Sequence, residues 1–153
     1  MGAKGMGLPY EGATSGDRAL AEMQRVLQRF GCESFGSMMD FERSVLVVQF
    51  KHRGMTVNIE ASIDGYANAW LKQHPWSSRR RGSLKEHMAE SKRIASLATY
   101  SILRDWLKGQ VTAIEMGVIS FEGAFLGQIM LPSGVTVLQH VTQGSGRLLG
   151  AGA

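Results

Sequence analysis

Between Ser83 and Gly117 the chain carries one long helical pattern, and the rest of the fold has to be arranged around it. Leu103, Leu107, Val111 and Ile114 mark a buried face at helical spacing, and Ile94, Leu97 and Tyr100 extend it toward the amino end. Ser83 is a good N-cap, and Glu86 three residues on completes a capping box, in which each side chain satisfies an otherwise unpaired backbone N–H. Gly117 is a natural stop. The pattern predicts a helix from Leu84 to about Met116. A helix this long carries more apolar face than a small sheet can cover. Either the short helix predicted at Phe121–Met130 folds back over it, or the long helix, which also bears Trp106, makes a homo-oligomer contact.

The segment before it reads as β structure. Arg43–His52 carries Val45, Leu46, Val47, Val48 and Phe50, the bulky and β-branched types that suit a pleated, packed surface. Met55–Ser62 alternates: Met55, Val57, Ile59 and Ala61 on one face, Thr56, Asn58, Glu60 and Ser62 on the other. That alternation predicts an antiparallel meander with one buried and one wet face. His52-Arg53-Gly54 is its turn, and Ser34–Phe41 is a weaker first strand. Upstream, Leu20, Met23, Leu27 and Phe30 form one stripe of a helix over Asp17–Phe30, with Thr14 and Asp17 at capping-box spacing and Gly31 as its C′ residue. Asp64-Gly65 breaks the third strand, Tyr66–Lys72 begins a short helix, and His74-Pro75 ends it. Ser120 caps the Phe121–Met130 helix. After the turn residues Leu131-Pro132-Ser133-Gly134, Val135–Val141 reads as a final strand on the sheet edge.

The expected fold class is therefore α+β: an N-terminal helix, an antiparallel β-meander, a long C-terminal helix, a short helix and a terminal strand. Glycine, 19 of 153 residues, is concentrated at the two ends. Residues 1–14 and 142–153 are read as disordered Gly-rich tails, because they offer too little apolar surface to offset the entropy of ordering them, and 15–141 as a single domain. The lone Cys32 excludes an internal disulfide, follows a helix end, and is expected to be a half-buried small apolar residue. No apolar run is long enough to span a bilayer, the amino end lacks a signal-peptide core, and Met6 breaks the myristoylation pattern. These features predict a cytoplasmic protein with no membrane partner.

Net charge is +4 and unevenly spread. Lys72, Arg79, Arg80, Arg81, Lys85, Lys92 and Arg93 face only Glu86 and Glu90 within their segment, which carries +5 and leaves −1 for the rest of the chain. The loop Pro75–Gly82 places Trp76 just before three consecutive arginines. Guanidinium forks pair with phosphates, and an exposed indole stacks on a base. Trp76, Arg79, Arg80, Arg81, Lys85 and Lys92 are thus the candidate nucleic-acid-binding residues, with DNA the expected partner. The same cations also suit an acidic protein partner, or plain solvation with Trp76 packed into the core.

The stretch Ser101–Val137 resembles small uncharacterised proteins of phages and prophage-bearing bacteria. The shared features are Val111, Ile114, Glu115 and Gly117 at the helix end, then Ser120-Phe121-Glu122, Phe125-Leu126, and Leu131-Pro132 before Gly134. The helix and two strands from Asp17 to Ala61 are similar in outline. The resemblance implies a mobile-element setting in a host cytoplasm, where replication, recombination, packaging and evasion of host defence are the usual tasks. It transfers no catalytic residue.

Two further readings stand beside a nucleic-acid-binding accessory protein. One is a protein–protein module, either a virion component or an inhibitor of host defence. The other is a Mg²⁺ nuclease: Asp40 precedes a strand ending Gln49-Phe50-Lys51, with Glu22 or Glu60 as further ligands, a spacing in which carboxylates hold the metal and lysine positions water. Strand alternation alone also explains Gln49 and Lys51 as solvent-facing. His52, His74, His87 and His140 are scattered, and neither a phosphate loop nor a hydrolase elbow occurs, so no cofactor and no metal are expected.

Overall fold

The computed structural model describes residues 7–79 and 82–143. The elements are α1 (Gly16–Phe30), β1 (Ser34–Asp40), β2 (Val45–His52), β3 (Met55–Ser62), α2 (Ile63–Gln73), α3 (Leu84–Glu115), α4 (Phe121–Phe125), a 3-10 turn (Leu126–Gln128) and α5 (Val137–Gln143). The chain is α+β, with an N-terminal helix, an antiparallel meander in the order β1-β2-β3 and one dominant helix.

Local chemistry explains the boundaries. Ser15, rather than Thr14, caps α1 by accepting from the Arg18 N–H, and Gly31 closes it at φ +102°, which a Cβ would oppose. Arg53 and Gly54, both at positive φ, make the two-residue turn between β2 and β3. Ser62 accepts from the Gly65 N–H, so α2 begins at Ile63 and Asp64-Gly65 starts the helix instead of interrupting the chain before it. The Ser83/Glu86 capping box opens α3 as expected.

Pairing sets the two faces of the sheet. Leu46 lies opposite Met39 and Ala61, Val48 opposite Ser37 and Ile59, and Phe50 opposite Phe35 and Val57. This is the inner face, and Leu46, Val48, Phe50, Val57 and Ile59 on it are buried. Met23 and Leu27 of α1 and Leu107 and Val111 of α3 close the core over them. Phe125 is fully buried at its centre, edge-on to Phe50 at 5.3 Å and to Trp106 at 5.8 Å. The apolar side of α3 packs within the chain mainly against α1 and α2, and Trp106 meets Phe125 of α4 edge-on at 5.8 Å.

Further expectations change toward the two ends of the chain. The segment after the Pro132 turn is a helix, α5, in place of a terminal strand. Thr136 and Gln139 form a reciprocal cap, Thr136 N–H to Gln139 Oε1 at 2.8 Å and Gln139 N–H to Thr136 Oγ1 at 3.1 Å, which outweighs the β preference of the valines. Only isolated bridges remain here, Val57 with Ile129 and Met130 with Thr136. The helix predicted over Phe121–Met130 ends at Phe125 and gives way to the 3-10 turn. Residues 8–13 form consecutive turns against the helices in place of a disordered tail: the Tyr10 hydroxyl donates to Asp105 Oδ2 at 2.7 Å and the Tyr66 hydroxyl to the Pro9 carbonyl at 2.7 Å. At the carboxyl end, Thr142 and Gln143 complete α5. The tail expectations for residues 1–6 and 144–153 lie outside the described residues.

Candidate nucleic-acid interface

The candidate site sits where α2 hands over to α3. The junction is clamped by aromatic contact. His74 caps α2, its Nδ1–H donating to the Trp70 carbonyl at 3.1 Å while its ring stacks on the Trp70 indole at 4.4 Å. From the first turn of α3, His87 lies against the same indole at 5.1 Å and donates from Nε2 to the His74 carbonyl. Sequence reading missed this cluster because the three rings come together only through the α2–α3 hairpin. The loop Pro75–Gly82 leaves from this clamp. Trp76 is half-buried, and its indole N–H donates to the Gly82 carbonyl at 3.3 Å, joining the two ends of the loop. Gly82, at φ +83°, then turns the chain into the Ser83 cap.

The cations divide into two groups. Arg79, Lys85 and Lys72 are exposed, and no ion pair is made by them among the described residues. Arg80 and Arg81 lie outside the described residues. Lys92 is drawn toward the end of the sheet, with its Nζ 2.9 Å from Ser44 Oγ and 3.4 Å from Asp64 Oδ1. Arg93 forks onto Glu90 with two bonds of 2.8 Å, which raises the arginine's pKa and lowers the glutamate's. Lys92 remains more than half exposed, with the Asp64 carboxylate beside it.

The nuclease spacing is not assembled. Asp40 pairs with Val45, whereas Lys51 pairs with Ser34 at the opposite end of the ladder, about 20 Å away at 3.4 Å per residue. Asp40 caps the turn by accepting from the Arg43 N–H, and the Arg43 guanidinium joins Asp40 to Glu60. Glu22 is held by Lys108 and Arg104, and the Lys108 hydrogen bond lowers its pKa. Gln49 donates to Asn58 on the outer sheet face. Among the described residues no group of three His, Cys, Asp or Glu side chains converges as a metal site. Cys32 is half-buried as expected, and burial, with Glu33 adding to it, pushes its thiol up to about 11.

Among the described residues no helix is long and apolar enough to cross a membrane. Comparison of the chain with family models, curated proteins and solved structures finds no match in any of the three.

Proposed function

We propose that this protein binds nucleic acid, without catalysis, through the α2–α3 loop and its flanks, as an accessory factor in recombination or replication in the mobile-element setting that the resemblance implies. The observation that supports this reading is a loop whose two ends are joined by the Trp76–Gly82 hydrogen bond and flanked by the exposed cations Lys72, Arg79 and Lys85. Arg80 and Arg81 belong to the same loop in sequence and add two further forks for phosphate oxygens. The Trp76 ring, half-buried, serves the loop first as a brace. The half-exposed ring then gives a base a surface to lie against. Lys92, held by Asp64, contributes to the local field rather than a direct contact.

The test is a mobility-shift titration on single-stranded and duplex DNA at several salt concentrations. Wild-type affinity is expected to fall linearly on a log–log plot, with a slope of about −0.9 per neutralised phosphate on duplex. Replacing Arg79, Arg80 and Arg81 together by alanine is expected to flatten that slope by roughly two to three. Lys92→Ala is expected to change it by less than one. Unaltered affinity and slope in the triple variant would remove the assignment.

A further inference from the structure

The two edges of the sheet are treated differently. The β3 edge is capped at its start: the Met130 N–H donates to the Thr56 carbonyl at 2.8 Å, and Val57 bridges Ile129. The β1 edge has no strand beside it among the described residues. Natural edges are usually guarded by lysine, proline or an inward-pointing charge. β1, Ser-Phe-Gly-Ser-Met-Met-Asp, has none of these along its length, and its one charge is the last residue.

The order of side chains on β1 is complementary to itself. On the outer face the strand runs from small to large: Ser34 and Gly36, then Met38 and Asp40. A Cβ placed on Gly36 would meet nothing, and Met38 is 59% exposed. If two copies of β1 pair antiparallel about a two-fold axis through Ser37, all seven residues of each strand enter the ladder. Met38 then covers the partner's Gly36, and Asp40 lies opposite the partner's Ser34. Beyond that serine, on the same row, stands the partner's Lys51, a cation within a long side chain's reach of the carboxylate. On the inner face Phe35 meets the partner's Met39. Shifting the axis by one residue to either side shortens the ladder and loses the small-against-large match.

The ends of the ladder supply an anchor. Phe41, the residue after β1, is 88% exposed. In the Ser37-centred register it arrives beside the partner's Glu33. There a cavity of about 230 Å³ opens between α1 and the start of β1, lined by Leu27, Gln28, Cys32 and Phe35. A seven-residue ladder alone falls short of the roughly 1,000 Å² that specific interfaces bury. Two phenylalanines, each burying about 150–250 Å², supply a large part of the difference. We propose that β1 is the interface of a two-fold homodimer, in which the strands pair about Ser37 into a continuous six-stranded sheet and each Phe41 enters the cavity beside the other copy's Cys32.

Sedimentation equilibrium of the full chain tests it, together with cross-linking of single-cysteine variants in a Cys32→Ala background. Wild type is expected to dimerise. Ser37→Lys, which sets like charges together on the axis, and Phe41→Asp, which empties the cavity, are each expected to weaken dimerisation about tenfold or more with unchanged circular dichroism. Ser37→Cys is expected to form a disulfide-linked dimer under mild oxidation, because residues opposite each other lie about 4.5–5.5 Å apart at Cα, within disulfide range. Met38→Cys, opposite a glycine, is expected not to. The proposal is overturned by a chain that stays monomeric at about 1 mM, where a Kd near 10⁻⁵ M would pair nearly every copy. It is equally overturned by self-association that both charge variants leave intact, or by Met38→Cys cross-linking as readily as Ser37→Cys.

Discussion

His52 shows how one buried side chain carries a pH dependence. Its ring stacks on Phe30 at 4.5 Å and lies 5.0 Å from Phe121, and its Nδ1 has no hydrogen-bond partner. Burial, followed by the charge of Arg53, lowers its pKa below the ordinary value near 6.5. The folded chain therefore holds a neutral imidazole where the unfolded chain takes up a proton. Below about pH 6.5 the unfolded state binds more protons, so the stability contributed at neutral pH is lost as pH falls through that value toward the folded pKa. His52→Phe keeps the stack and removes both the proton site and the unpaired nitrogen. It is expected to be neutral or stabilising near pH 7.5 and to lose less stability than wild type between about pH 7 and 5, measured by urea unfolding. A variant as acid-sensitive as wild type would show that another group governs this range. Sequence gave no sign of this role, since a histidine beside a turn reads as polar surface until the strand register turns it inward.

Where the chain's elements begin and end is decided by short-range hydrogen bonds, and these were unevenly legible. The Ser83/Glu86 box is fully formed, with the Glu86 N–H to Ser83 Oγ at 3.1 Å and the Ser83 N–H to Glu86 Oε1 at 2.8 Å. Ser83→Ala is expected to cost about 0.5–2 kcal/mol of stability. Because Gly82 accepts the Trp76 N–H one residue upstream, the same change is also expected to raise the exchange rate of loop amides, which hydrogen exchange reads out. Loop protection identical to wild type would mean that the brace is independent of the cap. The meander, the long helix and Gly31 were readable because each rests on residues within a few positions of one another. The Thr136/Gln139 cap was equally local, but Val135, Val137 and Val141 suggested a strand, and capping chemistry prevailed over propensity. The role of Gly16 was not legible locally: a Cβ there would stand 2.8 Å from the Tyr100 ring, so the glycine lets α1 approach α3. The clustering of cations was visible as a run in sequence. Which of them a carboxylate would claim, as Asp64 claims Lys92, depended on contacts the run does not contain.

At the scale of the whole molecule, one aromatic centre unites the sheet with the carboxyl-terminal elements. Phe125 meets Phe50, Trp106 and Phe121 from a helix of only five residues, so α4 holds its place by packing rather than by its own helical hydrogen bonds. Phe125→Ala is expected to cost about 3–5 kcal/mol in thermal or urea unfolding, a large share of the 5–15 kcal/mol typical of a domain. A loss under about 1 kcal/mol would mean that this centre can collapse around the missing ring. The amino-terminal turns are attached differently. Tyr10 and Tyr66 fasten residues 9 and 10 to α3 and α2 through single hydroxyl groups, and Glu11 reaches the His74 ring at the end of α2 at 4.0 Å. Mechanical load arriving from that side would meet these few polar links first and peel the turns away before any strand felt tension, leaving the sheet and its aromatic centre intact beneath a detached cover.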